Sequence, residues 1–350
     1  MPEKKKITTL SEMGEFKLIE HLTGKIQLTQ KSSVKGIGDD AAVIDHGKNK
    51  MVLTTDLLLE GIHFNLVYHP MKHLGYKAVV VNLSDVYAMN AKPAQVLVSI
   101  GLSRKFSVQA IDQFYQGIKL ACEQYEVDLV GGDTSSSMTG MLISVTAVGY
   151  APKEKLVYRS GANKNDLICV SGNLGAAYLG LQILERERKI FESDSSLQPV
   201  LDKYTYLVER QLKPEARKDI FEVLQEKGIL PTAMIDISDG LSSDLLHICR
   251  QSGIGCKIFQ ERIPIDVEAD QTARELNLEP VICALNGGDD YELLFTVPVE
   301  MMEQVDKIDG ISVLGHTVDK KDGCRWITTN GNEIELQASG WDAMDQPIST

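Results

Sequence analysis

Apolar positions along this chain recur in two rhythms, one near every second residue and one near every third or fourth. The alternation predicts its elements. An amphipathic helix is expected over Ser11–Leu22, where Phe16, Ile19 and Leu22 share a face. Strand-like runs follow at Ala41–Ile44 and Met51–Asp56, then a helix over Lys72–Met89 and an apolar strand over Gln95–Leu102. Ser107 can cap a helix whose Ile111, Phe114, Ile118 and Ala121 form an inward stripe. The strand Asp128–Gly131 and the run Met141–Gly149 complete a first unit near residue 150, and Ala151–Lys155 reads as the linker. A second unit opens with the strand Leu167–Val170 and a helix from near Leu174. Glu185–Ser196 is expected to be a charged helix end and loop. Pro214 should start a helix that stops at Gly228. The strand Met234–Ile237, a helix over Leu241–Cys249 and further alternation to Val318 follow. Strands and helices alternate in both units, so the expectation is an α/β (α+β) fold in two domains, 1–150 and 151–350.

Composition narrows the function. A chain of 350 residues, 43% hydrophobic and 24% charged, can bury a substantial core. A net charge of −13 argues against nucleic acid or an anionic membrane as partner, since both need a basic face. A free nucleotide would be repelled too, unless divalent ions first reverse the sign of its site. Six cysteines with no CxxC pair read as reduced, mostly buried thiols of a cytosolic protein. The start MPEKKKITTL has no apolar core region, and no run approaches the roughly 18 apolar residues of a membrane span. A cytoplasmic location is expected.

Nine aspartates stand out, nearly all in short polar or glycine-flanked turns beside apolar runs. They are Asp39, Asp40, Asp56, Asp85, Asp133, Asp236, Asp239, Asp289 and Asp290. Any one could be a turn residue, because glycine tolerates positive φ and Asp bonds its own backbone. Nine gathered together would need cations, and an oxygen-only donor set suits magnesium. Thr54, Thr55 and Asp56 end a strand with three oxygen-bearing side chains. Asn82 and Asp85 sit in an apolar helical context, where polar groups are costly without a ligand. Gly131, Gly132 and Asp133 follow the run VDLV, where glycines let backbone N–H groups approach oxygen anions. Asp236, Ser238 and Asp239 straddle a strand-to-helix junction, where amides and helix dipole favour phosphate; an N-cap would look the same. The planar fork of Arg159 suits phosphate. Trp341 after Gly340 reads as a stacking platform for a flat cationic heterocycle or as a core plug. The common nucleotide signatures GxxxxGK[ST], GxGxxG, HRD and DFG are absent.

The ordered set GIGDDAAV, LTTDLLLEGIHF, GYKAVVVNLSDVYAMNAKPA, VGGDTS, RSGAN, IDISDGLSSDL and GGDDYELLFT resembles the thiamine-monophosphate kinase family, within the aminoimidazole ribonucleotide synthetase superfamily. The resemblance runs from about Gly14 to Trp341. It implies the two-domain fold of that superfamily, pairing of N-terminal domains into a homodimer, and transfer of the γ-phosphate of ATP to thiamine monophosphate with several magnesium ions. By position it implies metal ligation by Asp40, Thr54, Thr55, Asp56, Asp85, Asp133, Asp236 and Asp239. ATP would be bound through Gly132, Asp133, Arg159 and Ser238, with Tyr115 as an adenine neighbour or simply core. Thiamine phosphate would meet His63, Asp289 and Trp341, and catalysis would rest on Asp56, Asp85, Asp133 and Arg159. The family usually has GGEDYEL where this chain has GGDDYEL, so Asp289 is one methylene shorter, a gap water could bridge. Other synthetases of the superfamily, a magnesium-dependent phosphohydrolase and a non-catalytic nucleotide sensor are the rival readings.

Overall fold

The computed structural model describes residues 30–35 and 38–338; the helix expected over 11–22 lies outside them. A six-stranded sheet is built from β1 (Ser33–Lys35), β2 (Ala42–His46), β3 (Asn49–Leu59), β4 (Lys92–Leu102), β5 (Asp128–Ser136) and β6 (Leu142–Pro152). Its spatial order is β1-β2-β3-β6-β4-β5, antiparallel except for the parallel edge pair β4–β5. β6 shows the strand rhythm plainly: Ile143, Val145 and Ala147 are buried, and their neighbours half-exposed. The buried face carries helices α1 (Met71–Ala88) and α2 (Val108–Tyr125), the latter capped by the Ser107 hydroxyl, which accepts from the Ala110 N–H.

A seven-stranded sheet follows, from β7 (Leu167–Ser171), β8 (Ala233–Asp236), β9 (Gly255–Phe259), β10 (Leu293–Val297), β11 (Ile311–Val318), β12 (Cys324–Ile327) and β13 (Glu333–Glu335), ordered β13-β12-β9-β11-β7-β10-β8. Its helices include α3 (Ala176–Ser193), α4 (Thr205–Leu212), α5 (Lys218–Lys227), α6 (Leu241–Ser252), α7 (Val267–Glu275), α8 (Pro280–Asn286) and the short α9 (Met302–Val305). No helix among the described residues is long and apolar enough to cross a membrane.

One expectation fails here. The helix expected from Pro214 begins only at Lys218, and it is preceded by α4, for which no element was expected. The intervening segment is held open by tertiary contacts. The Glu215 carboxylate accepts from Tyr76 and Tyr125 hydroxyls (2.6 Å each) and from Gln124 (2.9 Å), while the Ala216 N–H donates to Tyr125 (2.9 Å). These bonds outweigh the proline's preference for a first helical turn.

α1 is the element both sheets share. Nearly every residue from Leu74 to Ala88 is buried, because the helix packs on the first sheet, on α2 and on β8 of the second. A helix enclosed on all sides reads as apolar all round, as VVVNLSDVYA does. Its crossing with α2 is close at two glycines. A Cβ on Gly75 would stand 1.9 Å from the Phe114 carbonyl oxygen, and one on Gly117 equally 1.9 Å from that of Lys72. Gly117→Ala must push the helices apart, and overpacking of this kind costs about 1–3 kcal/mol. Urea denaturation should show the loss; an unchanged midpoint would contradict this packing.

Candidate active site

The polar residues of α1 emerge toward one place. The Asn82 amide oxygen, fully buried, accepts from the backbone N–H of Asp56 on β3 (3.0 Å), while its NH2 donates to the Ala78 carbonyl (3.0 Å). The Ser84 hydroxyl donates to Asp236 at the end of β8 (2.6 Å), and Thr54 on β3 donates to Asp85 (2.6 Å). So one helix ties the middle of β3 in the first sheet and the end of β8 in the second to itself. β3 runs on to Leu59, so Thr54, Thr55 and Asp56 lie within the strand and do not end it as expected, because β6 continues to pair with it. The result is a convergence: carboxylate oxygens of Asp40, Asp85 and Asp236 all lie within 4.8 Å of one another. Asp56 joins them electrostatically, raising the pKa of both Asp85 and Asp236.

At that separation two unit charges repel by roughly 3 kcal/mol at an effective dielectric of about 20. Among the described residues, only Arg159 is bonded into this group as a counter-charge. It grips Asp40 with two bonds of 2.9 Å, and its backbone N–H donates to Asp39 (3.1 Å). Burial disfavours its charge, but Asp40, Asp39 and Asp236 keep it protonated. The remaining carboxyls are pushed toward their protonated forms. Burial lifts Asp56 to about 6, burial and then Asp40 lift Asp236 to about 8, and burial followed by Asp56, Asp236 and Asp40 raises Asp85 well above its ordinary value. Asp56 and Asp85 keep a solvent-facing edge by surface area, yet protein surrounds them closely enough for this effect. Asp244, in the first turn of α6, extends the cluster: it accepts from the Asp239 N–H (3.3 Å), and burial, then Asp239 and Asp236, raises its pKa.

A second hub lies beside this one. Lys77 of α1, 2% exposed along its side chain, donates to Asp289 (2.9 Å) and to the Gln211 carbonyl (3.1 Å). Asp289 also accepts from Tyr291 (2.7 Å) and Gln211 (3.0 Å). Burial works against its charge, but Lys77 and these bonds outweigh it and hold the carboxyl below its ordinary range. His63, whose Nδ1 accepts from the Leu59 N–H (3.1 Å), is lowered by burial while Asp289 pulls the other way, so it is neutral near pH 7. The Asp289 N–H donates to the Ser238 carbonyl (2.8 Å), which links this hub to the junction carrying Asp236 and Asp239.

The remaining candidates stand elsewhere. Gly132 and Asp133 lie on the exposed edge strand β5, in a groove of about 480 Å³ shared with Val98, Tyr115 and Thr134. A Cβ on Gly132 would meet the Val98 carbonyl oxygen at 1.8 Å, so β4 and β5 can approach there only at glycine. Thr55 is exposed on β3, donating to the Val145 carbonyl (3.0 Å). Asp133 and Thr55 are not in the three-carboxylate group. Trp341 lies outside the described residues. Two of the nine aspartates stay outside the three-carboxylate group: Asp39 pairs with Lys35 (3.5 Å) as well as with the Arg159 N–H, and Asp290 accepts from the Gly175 N–H (2.9 Å) at the start of α3. Sequence reasoning missed Lys77 and Asp244. A lysine within an apolar helical run was the available signal for the first, and the acid in the run SSD for the second.

Comparison with known proteins bears on this arrangement. Residues 38–151 match the family model "AIR synthase related protein, N-terminal domain". A curated relative, the thiamine-monophosphate kinase of Aquifex aeolicus (strain VF5), is 37% identical over 89% of this chain and 98% of its own length. The chain belongs to the thiamine-monophosphate kinase family. The relative from Bacillus subtilis (strain 168) is 33% identical over 94% of this chain and 99% of its own. A solved structure of AaThiL complexed with AMPPCP and TMP superposes with a TM-score of 0.82 at 33% identity, covering 96% of this chain and 99% of that one. The fold is therefore the two-sheet aminoimidazole ribonucleotide synthetase type that the motifs implied.

The raised carboxyls of this kinase-family chain carry a sign that can be tested. A carboxyl whose folded pKa exceeds its unfolded value, near 4, keeps its proton in the native state and releases it on unfolding. Stability without divalent ions should therefore fall as pH rises from about 4 to about 8, the window set by Asp236. Asp236→Asn removes that titration. Melting temperatures across this range should decline less steeply in the variant than in the wild type; equal slopes would contradict the reading.

Proposed function

We propose that this chain transfers the γ-phosphate of ATP to the phosphate of thiamine monophosphate, releasing ADP and thiamine diphosphate. The observation that carries the reading is the meeting of Asp40, Asp85 and Asp236, from three separate elements, within 4.8 Å. The names of the relatives, and a similar structure complexed with AMPPCP and TMP, point the same way.

The donor set fits magnesium: hard carboxylate and hydroxyl oxygens, close together, with more negative charge than one arginine offsets. Asp40, Thr54, Asp56, Asp85, Asp236 and Asp239 would hold ions at the junction, with Thr55 on β3 and Asp133 on the β5 edge as further oxygen donors. Bound there, magnesium offsets the charge of two polyanions and polarises the phosphoryl oxygens. The groove lined by Tyr115, Gly132 and Asp133 receives ATP, with its phosphates directed toward Arg159 and Ser238. In the ligand-free chain Arg159 is bonded to Asp40; a phosphate would compete for the same fork. Lys77 fixes Asp289 as a charged acceptor, and neutral His63 beside it can accept or donate a hydrogen bond, so this hub would orient the thiamine end together with Trp341.

The acceptor needs little activation. A phosphomonoester has its second pKa near 6, so its oxygen is already anionic at neutral pH. That oxygen attacks the γ-phosphorus in line, the bond from the γ-phosphorus to the β-bridging oxygen breaks, and ADP leaves with the electron pair. No phosphoenzyme is formed, so a chiral γ-phosphorus should be inverted; retention would point to a covalent intermediate. Residues 1–150 supply the nucleotide and metal side and residues 151–350 complete the site. The edge strand β5, unpaired on its outer side among the described residues and with Leu129 and Val130 42% and 57% exposed, is covered by a second copy, which sedimentation would reveal as a dimer.

An ADP-release assay checks the reaction: turnover should require both magnesium and thiamine monophosphate, whereas phosphate release without acceptor would favour a hydrolase. Asp56→Asn should lower turnover at least about a hundredfold. The fold should persist, because the Asp56 contact with Asn82 is made by the backbone and the substitution removes a repulsive charge. Near-normal turnover in that variant would reject the metal assignment.

A further inference from the structure

The second sheet holds a group of three thiols well away, in kind, from the carboxylates. Cys249 lies on α6, Cys256 on β9 and Cys324 on β12, and their sulfur atoms all lie within 4.8 Å of one another. β9 and β12 run parallel with Cys256 and Cys324 directly in register, and α6 brings Cys249 over the same point. Cys249 and Cys256 are buried; Cys324 is half-buried and gives a path from solvent. Cys122, Cys169 and Cys283 belong to no such group among the described residues.

A single buried cysteine packs as a small hydrophobe. Three sulfurs from a helix and two strands meeting at one point are arranged as ligands are. With a zinc–sulfur bond of about 2.3 Å, tetrahedral sulfurs sit about 3.8 Å apart, which the observed spacing accommodates. No carboxylate or imidazole belongs to the group, so the donors are uniformly soft, the opposite of the magnesium-type site.

We propose that Cys249, Cys256 and Cys324 form a binding site for a soft thiophilic cation of the zinc(II) or copper(I) class. Binding exchanges thiol protons for metal–sulfur bonds, up to one proton per sulfur, and no electron is transferred. An exogenous ligand completes a tetrahedral zinc site at the Cys324 side, whereas copper(I) is satisfied by three sulfurs. Occupancy would pin β12 to α6, the helix whose first turn carries Asp244.

The test uses the full chain, reduced and stripped of metal, in excess magnesium so that the oxygen site is saturated. Cobalt(II) should bind at one per chain with a thiolate-to-cobalt charge-transfer band, and zinc(II) should displace it. Parallel titrations of zinc(II) and copper(I) against chromogenic chelators tell which cation the site prefers. Cys324→Ser should abolish the band and weaken binding at least about tenfold. Cys249→Ser serves as a second variant with the same expected loss, and Cys122→Ser should behave as wild type. Absence of the charge-transfer band together with no chelator-resistant zinc(II) or copper(I), or retention unaffected by either cluster variant, would overturn the proposal.

Discussion

Like charges forced into proximity are the constraint on which this structure turns. Asp40, Asp85 and Asp236 cannot all be ionised at their observed separation without compensation, and Arg159 supplies only one positive charge. The protein meets the conflict by raising the proton affinity of these carboxyls: burial raises Asp56, and burial together with neighbouring carboxylates raises Asp85 and Asp236. The members are fixed in place by hydrogen bonds: the Asn82 amide oxygen on the Asp56 backbone N–H, the Ser84 hydroxyl on Asp236 and the Thr54 hydroxyl on Asp85.

The central helix α1 turns this local conflict into a property of the whole molecule. It contributes to the carboxylate group through Asp85, to the neighbouring hub through Lys77, and to the support of both through Asn82 and Ser84. Because it packs between the two sheets, the middle of β3 and the end of β8 are set against each other by the same core that stabilises the fold. The close passage of Gly75 and Gly117 fixes where that helix lies against α2, whose Tyr115 lines the groove beside Gly132 and Asp133. The groove at the β5 edge, the carboxylates and the Lys77–Asp289 hub are therefore arranged around one helix.

Much of this was legible in the sequence, and the failures have identifiable causes. Periodicity located α1, α2 and the long strands because each buries a continuous face. Asn82 and Asp85 announced themselves as polar residues in an otherwise apolar helix, a pattern that is expensive without a use. What the sequence did not tell apart were neighbours in one turn: Asp40 enters the cluster while Asp39 pairs with Lys35, and Asp289 meets Lys77 while Asp290 bonds the start of α3. Adjacent side chains point in opposite directions, and only tertiary packing says which direction is inward. Lys77 escaped notice because a lysine in such a run is expected to reach solvent, not a buried aspartate. The segment around Pro214 was misread because bonds from Tyr76 and Tyr125 to Glu215, remote in sequence, override a local helix signal.

The central claim is that side chains from both halves surround one divalent cation. Anomalous scattering from crystals grown with manganese(II) and AMPPCP tests it directly. The account predicts a manganese peak bounded by Asp40, Asp85 and Asp236, with Arg159 released from Asp40. Peaks confined to other surfaces, with that ion pair intact and the three carboxylates unliganded, would contradict it.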